Sequence, residues 1–288
     1  MSKIVVMFPG QGSQYLGMGE VLFKKYPKLI SAASEFCGFD IKKLCIDGPT
    51  EKLNDTQFLQ PAIYMVNALS YLDLNENISK EKDYIFIGHS LGELNALQIA
   101  GAFDLITGLE IVKARGIAMS HIKTGGMLAI LGMKLKEIKG ILETKFDRLA
   151  YIANINTADQ TIISCHETVI DFVETTMRNA GAKAIIRLRT SGPFHSPLMN
   201  KALFEFKHKI EHISFKEINK EVISNVDGKP YENIKVQEKI VNQLIYPVQW
   251  HASIKYLISQ GYETFIEIGE RKLLTNMINN IKSNSEIM

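Results

Sequence analysis

The chain is poor in cysteine, with three in 288 residues, and it carries a single tryptophan. Cys37, Cys45 and Cys165 match no metal-ligand spacing and no disulfide framework, which suits a reducing cytoplasm. Charge of one sign is also lacking. The 33 basic and 31 acidic residues leave a net charge of +2, with no basic block, so no nucleic-acid partner is indicated. No apolar run approaches the roughly 20 residues of a membrane span. The opening apolar run, Ile4 to Phe8, is too short for a signal-peptide core. Repeats and low-complexity linkers are missing too. What remains is 46% hydrophobic and 22% charged, enough for a sizeable core in one large domain or one and a half.

The chain is organised around Gly88-His89-Ser90-Leu91-Gly92. Tyr84 to Ile87 reads as a buried strand and Glu93 to Ala100 as a helix. A glycine-flanked serine between strand and helix is a nucleophile elbow, too sharp for side chains beside the serine. The helix behind it presents free N–H groups and a positive dipole end, which favour an oxyanion next to Ser90. The plainer reading is a Gly-Ser turn closing an ordinary βα unit.

Upstream, Ile4 to Phe8 is a continuous apolar strand of the parallel-sheet kind, breaking into Pro9-Gly10-Gln11-Gly12-Ser13-Gln14. This loop lacks the phosphate-binding pattern. A glutamine here sits where α/β folds bind ligands and could donate to a ligand oxygen, or the loop is simply solvated. Helices are expected over about 17–25, 28–36, 40–46 and 59–74, with Pro61 near the start of the last, where its missing N–H costs nothing. A polar segment, Asn75 to Asp83, leads back to the elbow strand.

A further helix over 104–121 carries the stripe Leu105, Leu109, Val112 and Met119, with Arg115 at its edge. A half-buried arginine needs an anionic partner, either a structural carboxylate or one on a substrate. The pattern then changes. Strands at 127–131, 151–156, 160–164 and 183–188, with helices at 134–145 and 167–180, run βαββαβ, a ferredoxin-like module inserted at 125–189 between 1–124 and 190–288. A cleft between two lobes is a default ligand site. His195, between Pro193 and Pro197, has the most constrained setting of the seven histidines, as a general base requires. His208 and His212 lack a metal-site partner and read as a solvated face, while His121, His166 and His251 join no constellation. The C-terminal part reads as a strand and turn over 222–228, helices at 235–245 and 250–260, a buried strand at 263–269 and a last helix at 272–281.

Five segments together resemble one family: Phe8 to Gln14, Gly88 to Glu93, Arg115, Pro193-Phe194-His195-Ser196, and Pro247-Val248-Gln249-Trp250. In this order they resemble malonyl-CoA:acyl carrier protein transacylases over essentially the whole chain. The resemblance implies a large α/β-hydrolase-like domain with a parallel sheet and a small inserted ferredoxin-like subdomain. It implies Ser90 as nucleophile, His195 as its base, and the backbone N–H groups of Gln11 and Leu91 as oxyanion hole. The backbone carbonyl of Gln249 would orient His195, Arg115 would grip the malonyl carboxylate, and His89 would help shape the site. Phe194 resembles malonyl-type members, its ring crowding an α-methyl branch.

Asn95-Ala96-Leu97 resembles free-standing acyltransferases serving polyketide synthases, whereas fatty-acid members more often have alanine at the Asn95 position. Ile268-Gly269-Glu270-Arg271 departs from the usual Gly-Pro-Gly turn. The expected partners are malonyl-CoA and an acyl carrier protein with its phosphopantetheine arm. No bound cofactor or metal, no nucleic acid and no membrane are expected, and the family expectation is a cytoplasmic monomer. Three other readings compete. An acyl hydrolase of the same fold resembles relatives lacking the arginine. An α/β-hydrolase esterase needs an acid between serine and histidine in chain order. A docking subunit with a dead site would not keep Ser90, His195 and Arg115 together.

Overall fold

The computed structural model describes residues 3–76 and 83–285. Most of the polar segment expected from Asn75 to Asp83 lies outside the described residues. Strand β1 (Lys3–Phe8) is followed by helices α1 (Glu20–Lys25), α2 (Pro27–Cys37), α3 (Ile41–Asp47), α4 (Thr50–Asn54) and α5 (Thr56–Asn75). Then come β2 (Asp83–Gly88), α6 (Gly92–Ile99) and α7 (Leu105–Ser120). β1 pairs in parallel with β2, Val5 opposite Ile85 and Phe8 opposite Gly88. The short strand β7 (Val222–Ile223) and β8 (Thr264–Glu267) complete a parallel sheet in the order β7-β2-β1-β8.

Alternation along β1 feeds both faces of this sheet. Ile4, Val6 and Phe8 join Leu94, Leu97, Leu109 and Val112 in the main core. Val5 and Met7 face Trp250, Ile254, Leu274 and Ile278, from helices α12 (Trp250–Ser259) and α13 (Leu273–Ser285), which follow α10 (Asn200–Ile210) and α11 (Val236–Asn242) in the chain. Covering on both faces explains why the strands read as unbroken apolar runs.

The second lobe runs β3 (Gly125–Leu131), α8 (Leu135–Lys145), β4 (Ala150–Ile155), β5 (Gln160–His166), α9 (Ile170–Asn179) and β6 (Ala184–Arg187). Its sheet is antiparallel in the order β4-β5-β3-β6, the ferredoxin-like arrangement, with its own core around Leu128, Ile163 and Val173. The lobes are stitched by backbone. Ile155 N donates to Val248 O at 2.9 Å, and Val248 N donates to Ala153 O at 2.8 Å.

Two local expectations are corrected. α5 begins at Thr56, not 59, because Asp55 caps it by accepting from Gln57 N at 3.1 Å. Pro61 therefore lies beyond the first turn, and its ring removes the N–H that Gln57 C=O would have accepted. The strand and turn expected over 222–228 divide at Ile223, where Ser224 and Gly228 close the turn, Gly228 N donating to Ser224 O at 2.9 Å. Residues Thr50–Asn54 add a short helix the pattern did not signal.

Candidate active site

β2 and α6 present Ser90 with φ of 52°, in the left-handed region. The flanking glycines are steric necessities. A Cβ on Gly88 would stand 1.9 Å from Gly92 C, and one on Gly92 would stand 2.0 Å from Phe8 O. Ser90 N–H is already committed, donating to Asn225 Oδ1 at 2.7 Å, while Asn225 Nδ2 donates to Gly88 O at 2.7 Å. Leu91 and Gln11 both line a cavity of about 80 Å³ beside Ser90.

The Ser90 hydroxyl meets His195 Nε2 at 2.7 Å. His195 Nδ1 meets the backbone carbonyl of Gln243 at 2.7 Å. A carbonyl only accepts, so Nδ1 carries the proton and Nε2 offers its lone pair to the hydroxyl. This corrects the expected orienting residue: it is Gln243, not Gln249. Gln249 instead starts α12, its carbonyl accepting from Ser253 N at 2.9 Å and its N–H donating to Asn225 O at 2.8 Å. Five residues separate the two glutamines in sequence, and nothing in composition distinguishes them.

His195 also has a left-handed φ of 56°. Burial holds its pKa down to about 3, with the Arg115 cation adding to the effect and the Gln243 carbonyl opposing it. A second proton is therefore unwelcome on the ring.

Arg115, on α7, is 1% exposed, more buried than its position at the stripe edge suggested. Its hydrogen-bond partners are all neutral oxygens. Nη1 donates to Gln60 Oε1 at 2.8 Å, and Nη2 donates to Gln243 Oε1 at 2.8 Å and to Ser90 Oγ at 3.1 Å. Nε has no partner. Burial lowers its pKa to about 10, and the charge of Glu93 works the other way. Of the two partners considered for this arginine, a protein carboxylate makes no ion pair with it among the described residues.

Glu93, on the first turn of α6, is fully buried. It accepts from Asn225 N at 2.7 Å, from the Tyr231 hydroxyl at 2.9 Å and from the Gln243 side-chain amide. Burial pushes its carboxyl up to about 7 against those donors and the Arg115 charge. Gln60, Gln243 and Asn225 were not singled out from sequence. The one available signal was that a buried arginine without a nearby acid must find polar side chains elsewhere.

Phe194 is buried, lines the same cavity with Met119 and Met127, and its carbonyl accepts from the Ser164 hydroxyl of the small lobe. His89 is half-buried, its ring 5.5 Å from Trp250 and its Nε2 2.9 Å from Asn156 Oδ1, and desolvation lowers its pKa. Asn95 sits in a buried amide chain in which Asn67 Nδ2 donates to Asn95 Oδ1 at 3.0 Å and to Pro9 O at 2.9 Å. The departing turn at Gly269 is held differently from a proline turn. Tyr15 donates to Glu270, and the Arg271 guanidinium lies 5.2 Å over the Tyr15 ring.

The remaining histidines lie apart. His208 pairs with Glu211 at 2.9 Å and His212 with Glu110 at 3.0 Å, both exposed. Among the described residues no group of three or more His, Cys, Asp or Glu could hold a metal, and the three cysteines are free and buried. No helix among them is long and apolar enough to cross a membrane.

A serine held by a neutral histidine, beside a buried arginine whose partners are neutral, is an arrangement suited to acyl transfer of an anionic group. The chain belongs to the acyl transferase domain family, which matches residues 5–287. It is similar to a polyketide biosynthesis malonyl CoA-acyl carrier protein transacylase of Bacillus velezensis, 39% identical over 284 residues covering 98% of each chain. Among solved structures, it resembles a malonyl CoA-acyl carrier protein transacylase from Burkholderia pseudomallei, with a TM-score of 0.92 and 38% identity over 98% of this chain and 99% of that one. A malonyl-transacylase solved in complex with its type II polyketide synthase acyl-carrier protein also superposes, with a TM-score of 0.92 and 30% identity over 98% of this chain and 94% of that one.

Proposed function

We propose that the protein transfers malonyl from malonyl-CoA to the phosphopantetheine thiol of an acyl carrier protein through an ester on Ser90. The carrying observation is that the Ser90 hydroxyl stands 2.7 Å from a base and 3.1 Å from a buried cation whose own partners are uncharged. As Ser90 Oγ attacks the thioester carbonyl, its proton passes to His195 Nε2. The N–H groups of Gln11 and Leu91 receive the oxyanion. The CoA sulfur then leaves with the proton from His195. In the second half, the carrier thiol gives its proton to His195 and attacks the ester, and the departing Ser90 oxygen takes that proton back from His195, a ping-pong sequence.

Arg115 anchors the malonyl carboxylate. That carboxylate also cancels the cation that helps suppress His195, so the substrate raises the basicity of its own catalyst. Acetyl-CoA leaves the arginine unpaired, which discriminates strongly. The alternative of a carrier-clearing hydrolase is not favoured, since it gives Arg115 no task. Asn95 and the 39%-identical relative both point to polyketide synthesis. Ser90, His195 and Arg115 supply every step without a bound cofactor, and buried free thiols accord with a cytoplasmic setting.

Intact-mass measurement after mixing with malonyl-CoA tests this. A malonyl adduct should appear, vanish in Ser90→Ala, and be discharged by a holo carrier protein. Release of free malonate at the same rate with and without carrier would favour hydrolysis instead.

A further inference from the structure

The amide of Gln243 can sit in its socket in two orientations, and only one serves Arg115. As observed, Oε1 faces the guanidinium at 2.8 Å and Nε2 faces Ser90 O at 3.0 Å and Glu93 Oε2. Turned over, it would set its NH₂ against the Arg115 donors and its oxygen against two acceptors. The orientation is thus decided on the side away from Arg115.

Glu93 occupies that side, and its own surroundings are one-sided. Oε1 receives Asn225 N–H at 2.7 Å and the Tyr231 hydroxyl at 2.9 Å, and Oε2 receives the Gln243 amide. A group that accepts at both oxygens fits here, and among side chains of this length that is a carboxylate. A glutamine would have to place its NH₂ somewhere. At the Oε1 side it meets Asn225 N–H, and at the Oε2 side it meets the Gln243 NH₂. The second costs fewer contacts, so the substitution turns Gln243 and unseats Arg115.

We infer that Glu93 is a specificity-positioning residue: by fixing the Gln243 amide it aims the Arg115 guanidinium at the acyl carboxylate. Glu93 touches no reacting atom. It acts through one amide, and that amide touches Arg115 and the Ser90 carbonyl, while the Gln243 backbone holds His195. This rests on the malonyl-transfer reading.

The test is single-turnover acylation of Ser90 by malonyl-CoA and by acetyl-CoA, followed by intact mass, in the wild type, Glu93→Gln, Gln243→Ala and the double variant. Glu93→Gln should lower the malonyl-to-acetyl rate ratio at least tenfold. Gln243→Ala should lower it by a similar factor, and the double variant should fall no further than the worse single one. A purely structural role would slow both acyl donors together. An unchanged ratio in folded Glu93→Gln overturns the inference, as do losses that multiply in the double variant. If Glu93→Gln fails to fold, an unchanged ratio in Gln243→Ala overturns it alone. Absence of any Ser90 adduct in the wild type is a different result, and it removes the transfer reading and this inference together.

Discussion

Arg115 donates through Nη2 to the same Ser90 hydroxyl that His195 Nε2 holds at 2.7 Å. The cation and the nucleophile are therefore one hydrogen bond apart. A three-carbon acyl group, with its carboxylate one methylene from the thioester carbonyl, spans that separation. Removing the cation should be felt by this substrate first. Arg115→Ala should cut kcat/KM for malonyl-CoA by roughly 10²–10³-fold, the usual cost of unpairing a buried charge, while acetyl or longer-acyl transfer or hydrolysis rises. Arg115→Lys should recover little, because a point charge cannot reproduce the fork that reaches Gln60 and Gln243 together. Undiminished malonyl preference in the alanine variant rules out the assigned role.

A pH series separates the two buried titrating groups. The Glu93 carboxyl is raised to about 7, so it takes up a proton as pH falls through neutrality. Oε1 already receives two donors, so that proton goes to Oε2, where it confronts the Gln243 amide. The malonyl-to-acetyl acylation ratio should then decline below about pH 7 as a one-proton transition. His195 is lowered to about 3, so acetyl acylation should show no break near the ordinary histidine value of 6.5. A shared transition at 6.5 for both acyl donors contradicts these assignments.

The elbow stores backbone strain at Ser90, whose φ of 52° suits glycine. Ser90→Gly and Ser90→Ala should both abolish the adduct. Urea unfolding should nonetheless find Ser90→Gly more stable than Ser90→Ala by about 1 kcal/mol, the cost of a left-handed non-glycine residue.

Gly92 has no such tolerance in the opposite direction. A methyl group there would press to 2.0 Å from the Phe8 carbonyl, and both are backbone or nearly so. Gly92→Ala should lose about 3 kcal/mol of stability, seen as a lowered urea midpoint at unchanged m value.

Phe194 sits in the cavity wall with Met119 and Met127. Phe194→Ala should raise transfer of methylmalonyl relative to malonyl by roughly tenfold, within the 1–3 kcal/mol that a single methyl group commands. An unaltered ratio would show that another wall excludes the branch.

Local chemistry was the legible part of this sequence. Glycine spacing marked the elbow, unbroken apolar runs marked the strands, and two prolines marked the rigid histidine loop. The βαββαβ order was readable because hydrophobic period switches cleanly between strand and helix. Gln243 was not readable. Its contribution to His195 is a backbone carbonyl, which any residue possesses, so residue type carried no information about which glutamine stood behind the ring. Gln60 and Asn225 were hidden for a related reason. Each matters through a single contact, to Arg115 at 2.8 Å or Ser90 N at 2.7 Å, that exists only after distant segments meet. The start of α5 was misplaced because Asp55 outcompeted the proline signal at Pro61.

Val248 exchanges two backbone hydrogen bonds with β4 a few residues after Gln243 has oriented the imidazole. The inserted lobe is thereby spliced to the strand of chain that governs the base. Exchange of the lobe between homologues, as a route to new acyl preferences, therefore has a hidden boundary. A transplant of 125–189 alone would join a foreign β4 to the host's 243–250 segment, and any mismatch there would be transmitted to the proton-transfer step. Chimaeras should carry both pieces from one parent.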